Sequence, residues 1–202
     1  MVSRKSKIDF HCALSGSFQV SKNGDDLIAA RITSDFKWEI VKENLNFGQI
    51  LFLPRIQTHV INNFLLYEEK NIVMSGCDGG KICIFDWKNG DLLHEINLEI
   101  NSIYSSFLFG RLAVVGGKQN VAFVDLISGK RIHKNTVISS ECKSIWSIKI
   151  GNGDFEIEGE NVEKPILVMA GFGNVTITRV PLSRKFKKFA DIVLNEKSYI
   201  FF

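Results

Sequence analysis

The sequence has little proline, three in 202 residues, and only three tryptophans, three tyrosines and four cysteines. Sixteen phenylalanines against three prolines exclude a proline-rich or disordered chain and point to a packed interior. No apolar run approaches the ~20 residues of a membrane-spanning helix, so no transmembrane segment is expected. The start, MVSRKSKIDF, is basic but lacks the apolar stretch of a secretory signal. The cysteines, Cys12, Cys77, Cys83 and Cys142, form no Cys-x-x-Cys pair and have no histidine at zinc-ligand spacing. They read as buried thiols in a reducing compartment, which places the chain in the cytoplasm or nucleus. The sequon Asn174-Val175-Thr176 is then expected to be unused. Charge of one sign is lacking too. A net charge of +3 is too small to demand a nucleic-acid partner.

Helical periodicity is missing as well. No stretch of ten or more residues carries it convincingly, and Phe186 to Leu194, which could form a helical turn, is placed on a strand by the repeat described below. Paired carboxylates, a metal-ligand cluster and a nucleophile beside a base are all lacking. No enzyme activity, metal or cofactor is therefore expected. Gly116-Gly117, Gly151-Asn152-Gly153 and Gly171-Phe172-Gly173 open no helix and carry no P-loop Lys-Ser/Thr, so they read as turns.

What is present is a meander. Residues 71–96, NIVMSGCDGGKICIFDWKNGDLLHEI, alternate β-type runs with Gly/Asn/Asp turns and predict three antiparallel strands. The unit repeats. HVINNFLL, NSIYSSFLF and KSIWSIKI share an isoleucine at 61, 103 and 145, 42 residues apart both times. Each opener leads to an apolar run ending at glycine (Gly76, Gly116, Gly171), then to an alternating strand. In two units that strand ends in Asp86 or Asp125, followed four residues later by Gly90 or Gly129. A weaker copy precedes them, with Phe18 and Val20 opening, a turn at 22–25, a strand over 27–32 and another over 36–40. The expected organisation is one all-β domain over 1–202. Its units are about 8–53, 54–97, 98–138 and 139–190, with an exposed hairpin insert at 151–164 and a C-terminal strand at 191–202.

Four strands per unit and a period near 40 resemble the WD-repeat β-propeller family. Ser75-Gly76-Cys77-Asp78-Gly79 is similar to its Ser-Gly-x-Asp-Gly turn, and Ile84-Phe85-Asp86 to its Trp-Asp strand end. No unit carries Trp-Asp itself, nor Gly-His. Quinone-cofactor propellers have similar units, which Val124-Asp125-Leu126-Ile127-Ser128-Gly129 also fits. The resemblance implies about four four-stranded blades, each packed between neighbours. It also implies a structural network of His59, Ser75 and Asp78, with Asp86 closing the strand. The alternative is that Asp78-Gly79 makes only a type I′ turn and His59 is solvated.

Lys197-Ser198-Tyr199-Ile200 repeats the opener Lys143-Ser144-Ile145-Trp146. A small closed ring, a partial ring completed by another copy or another protein, and a fragment all fit this. The two open-ring readings put Tyr199, Ile200, Phe201 and Phe202 at a partner interface, because uncovered apolar blade faces mark interfaces.

The implied function is a non-catalytic protein–protein interaction scaffold, a subunit of a larger complex that binds a protein partner or second copy. The alternative is a propeller that binds nucleic acid or phosphoinositide through the basic run 183–188, with Arg184, Lys185, Lys187 and Lys188 on the phosphates. A solvated outer strand, whose lysines discourage edge pairing, is the simpler account of that run. Alternation further places Ile82, Ile84, Val121, Phe123, Val175 and Ile177 in blade cores. Phe123→Ala is expected to cost about 3–5 kcal/mol in urea denaturation.

Overall fold

A computed structural model describes residues 18–35, 37–54, 57–118, 120–132, 138–139, 143–151, 155–157, 160–162, 166–171 and 175–179. Antiparallel sheets follow one another along the chain. The first is β1 (Phe18–Val20), β2 (Asp26–Ile32), β3 (Trp38–Asn44) and β4 (Gln49–Phe52), paired in that order. The second is β5 (Ile61–Tyr67), β6 (Ile72–Cys77), β7 (Lys81–Asp86) and β8 (Leu92–Asn97). The third is β9 (Ile103–Phe109), β10 (Leu112–Gly117), β11 (Asn120–Asp125) and β12 (Lys130–Ile132), with β13 (Ile138–Ser139) also paired to β11. In the fourth, β14 (Ile145–Gly151) pairs with β17 (Ile166–Gly171), and β17 with β18 (Val175–Arg179). A separate hairpin, β15 (Phe155–Ile157) and β16 (Glu160–Val162), lies between β14 and β17 in the chain. Among the described residues the helical structure is one 3-10 turn, Glu68–Lys70.

Every residue of β6 and of β10 is buried, which is the pattern of a strand covered on both faces. The cover is the next sheet. β5 packs on β1 and β2, β9 on β5 and β6, and β14 on β9 and β10. Alternation divides each middle strand between two cores. Val73, Cys83 and Phe85 of the second sheet meet Ile28 and Ile40 of the first. Met74, Ile82 and Ile84 meet Val115 and Val124 of the third. Val114 and Phe123 of the third meet Leu167 and Met169 of the fourth.

The recurring isoleucines make the joints. Ile61, Ile103 and Ile145 open β5, β9 and β14 and are at most 1% exposed. The register slips just after each one. Ile103 opposes Gly117, but Ser105 opposes Gly116, so Tyr104 is an extra, bulged residue. Asn62 and Trp146 are bulged in the same way. A Cβ on Gly76 would lie 2.5 Å from Ile103 Cγ2, and one on Gly116 2.8 Å from Ile145 Cγ2. Each glycine leaves room for the isoleucine of the following sheet.

The Asp-x-x-x-Gly spacing is a turn. Asp86 Oδ1 accepts the N–H groups of Lys88 (2.7 Å) and Asn89 (3.1 Å), and Gly90 N–H donates to Asp86 O (2.9 Å). Asp125 and Gly129 repeat it, with Asp125 Oδ1 accepting the backbone N–H groups of Ile127 (3.0 Å) and Ser128 (3.4 Å). In the first sheet Asn44 does the same for Asn46 (3.1 Å) and Phe47 (3.0 Å), and Gly48 closes the loop. Gly48, Gly90 and Gly129 all have positive φ (63, 81 and 62°), which favours glycine there. The copy at Asn44 was missed in the sequence because asparagine stands for aspartate.

Ile82, Ile84 and Val121 are fully buried and Phe123 is 4% exposed, as alternation predicts. Val175 is a correction: it is 64% exposed. It pairs with Ala170 on the face of the fourth sheet turned away from Leu167 and Met169, and so away from the third sheet. The side chain of Ile177 lies outside the described residues. Because Asn44 already performs the same task, Asp86→Asn should leave stability within about 0.5 kcal/mol of wild type. Asp86→Ala, which strands two N–H groups, should cost about 1–2 kcal/mol in urea denaturation.

Candidate interaction surface

The segment entering β5 and the β6–β7 turn meet at one end of the second sheet, because Ile61 opposes Cys77. Three of the residues singled out in the sequence, His59, Ser75 and Asp78, belong to this end. Asp86 lies at the other end of β7, in the turn just described. The first three are not joined to one another. Ser75, fully buried, donates its hydroxyl to Gln57 Oε1 at 2.8 Å. Gln57 Nε2 in turn donates to Lys81 O at 3.2 Å and Ser75 O at 3.5 Å. Asp78 Oδ1 accepts Asn62 Nδ2 at 2.6 Å, and its backbone N–H donates to Val60 O at 3.0 Å. His59 is exposed, with Nδ1 3.2 Å from the Thr58 hydroxyl.

The expected His59–Ser75–Asp78 network is therefore replaced by two pairs, Gln57–Ser75 and Asn62–Asp78. Both new partners are amides, which can donate and accept without titrating. The type I′ alternative is corrected as well. Gly80 N–H donates to Cys77 O at 3.1 Å, and the residue with positive φ is Gly80 (69°) rather than Asp78. Sequence reasoning missed Gln57 and Asn62, although Asn62 stands next to the repeating isoleucine.

Polar side chains also tie successive sheets. Ser105 Oγ donates to Ile145 O at 2.9 Å, and Ser106 Oγ donates to Asn63 Oδ1. Lys42 Nζ donates to Trp87 O at 2.9 Å and lies 4.3 Å from the centre of the indole ring. Arg131 Nη1 donates to Leu98 O at 2.8 Å. Burial, aided by the Glu95 carboxylate, pushes the Cys83 thiol up to about 12, so it stays protonated and unreactive at neutral pH. Cys77 is also a free, buried thiol. Among the described residues no group of three or more His, Cys, Asp or Glu is arranged to hold a metal. Nor, among them, is any helix long and apolar enough to cross a membrane.

The three bulged residues differ in what they show to solvent. Asn62 is 1% exposed, Tyr104 is half-buried, and Trp146 is 63% exposed. The other residues proposed for binding, Arg184, Lys185, Lys187 and Lys188, and Tyr199, Ile200, Phe201 and Phe202, lie outside the described residues, as do Cys12 and Cys142.

Comparison with solved structures settles the architecture. Saccharomyces cerevisiae Sqt1 superposes with a TM-score of 0.64 at 15% identity, over 82% of this chain and 45% of Sqt1. The WD40 β-propeller domain of Doa1 gives 0.56 at 17% identity, over 78% of this chain and 47% of that one. The chain has the β-propeller fold. A computationally designed protein, Ika4, is similar at a TM-score of 0.58 and 13% identity, over 89% of this chain and 99% of the design. The chain thus spans about half the length of the natural propellers it matches. No family model matches the sequence, and no curated protein does. The four sheets are blades, and β1, β5, β9 and β14 are their innermost strands, each meeting the next.

If Gln57, not His59, holds the blade-two turn, Gln57→Ala should cost about 1–3 kcal/mol, since it strands the buried Ser75 hydroxyl. His59→Ala, at an exposed site, should stay within about 0.5 kcal/mol. Paired urea melts of the two variants check this.

Proposed function

We propose that this propeller is a non-catalytic scaffold that binds a protein partner as a subunit of a larger assembly. Trp146 carries the reading. It sits on the bulge of an innermost strand, 63% exposed, where the equivalent Asn62 is buried. An aromatic side chain held on a rigid sheet loses little freedom on binding, and tryptophan is prominent among the residues that dominate interface energies. The Ser105 hydroxyl of the preceding blade is committed to structure, donating to the carbonyl of the adjacent Ile145. That commitment favours a surface for binding over one for chemistry. The buried thiols Cys77 and Cys83 support a cytoplasmic or nuclear setting.

The test starts from proteins retained by the purified chain and identified by mass spectrometry. Trp146→Ala should weaken the identified partner at least about 10-fold and leave the melting temperature unchanged. Equal affinity for the variant would remove Trp146 from the interface. Binding to RNA or anionic vesicles that is lost at high salt and on charge reversal of Lys185, Lys187 and Lys188 would move the function to the basic run instead.

A further inference from the structure

The unpaired charge around Trp146 has one sign. Trp146 follows Ile145, the isoleucine that packs against Gly116 of blade three. Lys143 precedes that isoleucine by two residues, and Lys118 follows that glycine by two. Each lysine therefore stands within about 7 Å of the joint along the chain. Both are exposed, and among the described residues neither has an ion-pair partner.

The carboxylates described in the loops at the same end are all engaged. Asp35 pairs with Lys37 at 2.6 Å, Asp78 Oδ1 accepts Asn62 Nδ2 at 2.6 Å, and Glu99 Oε2 lies 3.4 Å from Arg131 Nη1. An exposed indole is thus flanked by two cations that no described carboxylate compensates.

We infer that this corner binds an acidic segment of a partner protein, with carboxylates meeting Lys118 and Lys143 and an apolar side chain lying on the Trp146 ring. The inference rests on the scaffold reading and names the chemistry of the partner. Complementary charge selects the partner and speeds its encounter, while the aromatic ring supplies the contact that holds it. Basic segments of the chain itself do not suit this corner. Residues 180–202 carry five Lys or Arg against two Asp or Glu, and residues 1–17 carry three against one, so the lysines would repel both. The acidic stretch 151–164, with five Asp or Glu against one Lys, departs from β14 at Gly151, the end of that strand opposite Trp146. A second copy offering that stretch would add head to tail through unlike surfaces, which builds open fibres unless the rotation closes. Nucleic acid fits less well, because two lysines allow two phosphate contacts, against the roughly 6–10 of a strongly salt-dependent binder.

A random peptide library displayed on phage and selected on the purified full chain tests this. Enriched peptides should carry two or more Asp or Glu beside an aromatic or large aliphatic residue. A synthesised enriched peptide, read by fluorescence anisotropy, should bind at least ~10-fold more weakly to Trp146→Ala and to Lys118→Glu with Lys143→Glu. Its affinity should also fall between about 0.05 and 0.5 M salt. Lys118→Arg with Lys143→Arg should retain binding, and all these variants should keep the wild-type melting temperature, since the three side chains are exposed. Neutral or basic enriched peptides, no enrichment, or an affinity unchanged by reversing the lysines overturn the inference. Retention of RNA, or self-association of the chain, that is lost on the same reversal also overturns it, by giving the lysines another occupant. The scaffold reading fails separately, if the whole chain retains no protein from cells. The charge assignment alone fails if an identified partner depends on Trp146 while the reversed lysines leave its affinity unchanged.

Discussion

The fold depends on one contact, the isoleucine of each blade lodged against the small residue of the blade before it. A four-stranded sheet that is apolar on both faces has no stable solitary form, because one face would remain in water. Burying such faces against one another is worth about 25 cal/mol for each Å² of apolar surface removed. That driving force is non-directional and does not choose a register. Direction comes from shape. Gly76 has no Cβ, and a methyl group there would overlap Ile103 Cγ2, so the two sheets interlock at one position along their length. The bulge after each isoleucine keeps the geometry constant from joint to joint.

Polar contacts then hold what the apolar contacts have aligned. The inner joint is fastened by Ser105 to Ile145 O and by Ser106 to Asn63. Farther out, Lys42 reaches Trp87, and His94 Nε2 lies 3.1 Å from Ile127 O. At the opposite loop end, a positive-φ glycine of one blade packs against the outer strand of the blade before it. Gly90 meets Leu51, and Gly129 meets the His94 ring. The Asx-to-glycine turn therefore serves both within and between blades. It reverses the chain in four residues, and it presents a backbone surface without a side chain where the preceding blade comes close.

These repeated contacts explain how far the sequence could be read. The isoleucines at 61, 103 and 145 and the Asp86–Gly90 and Asp125–Gly129 pairs recur because the same geometry recurs, so the blades were legible from spacing alone. Hydrogen-bond partners were less so. Ser75 needs an acceptor reaching in from the entering segment, and either His59 or Gln57 could supply it on paper. Two residues of offset decided for Gln57, and single-sequence spacing does not resolve such an offset in an irregular segment. Val175 shows a different limit. Alternation put it on one strand face with Ile177, and the strand register sets that face beside Val168 and Ala170. Whether a face is covered depends on the neighbouring blade, which the strand's own pattern does not contain.

The bulged positions show how a fixed frame can be given to different uses. Asn62, Tyr104 and Trp146 follow the same isoleucine at the same slip of register. Asn62 turns inward to the Asp78 carboxylate and helps fasten its own blade. Trp146 stands 63% in solvent at the matching place. The backbone costs of the bulge are common to all three, so exchanging the side chain changes what the site does without disturbing how the blades join. The joints supply the rigid part of this frame, and variation is carried where they leave a side chain in solvent. Trp146 is such a residue.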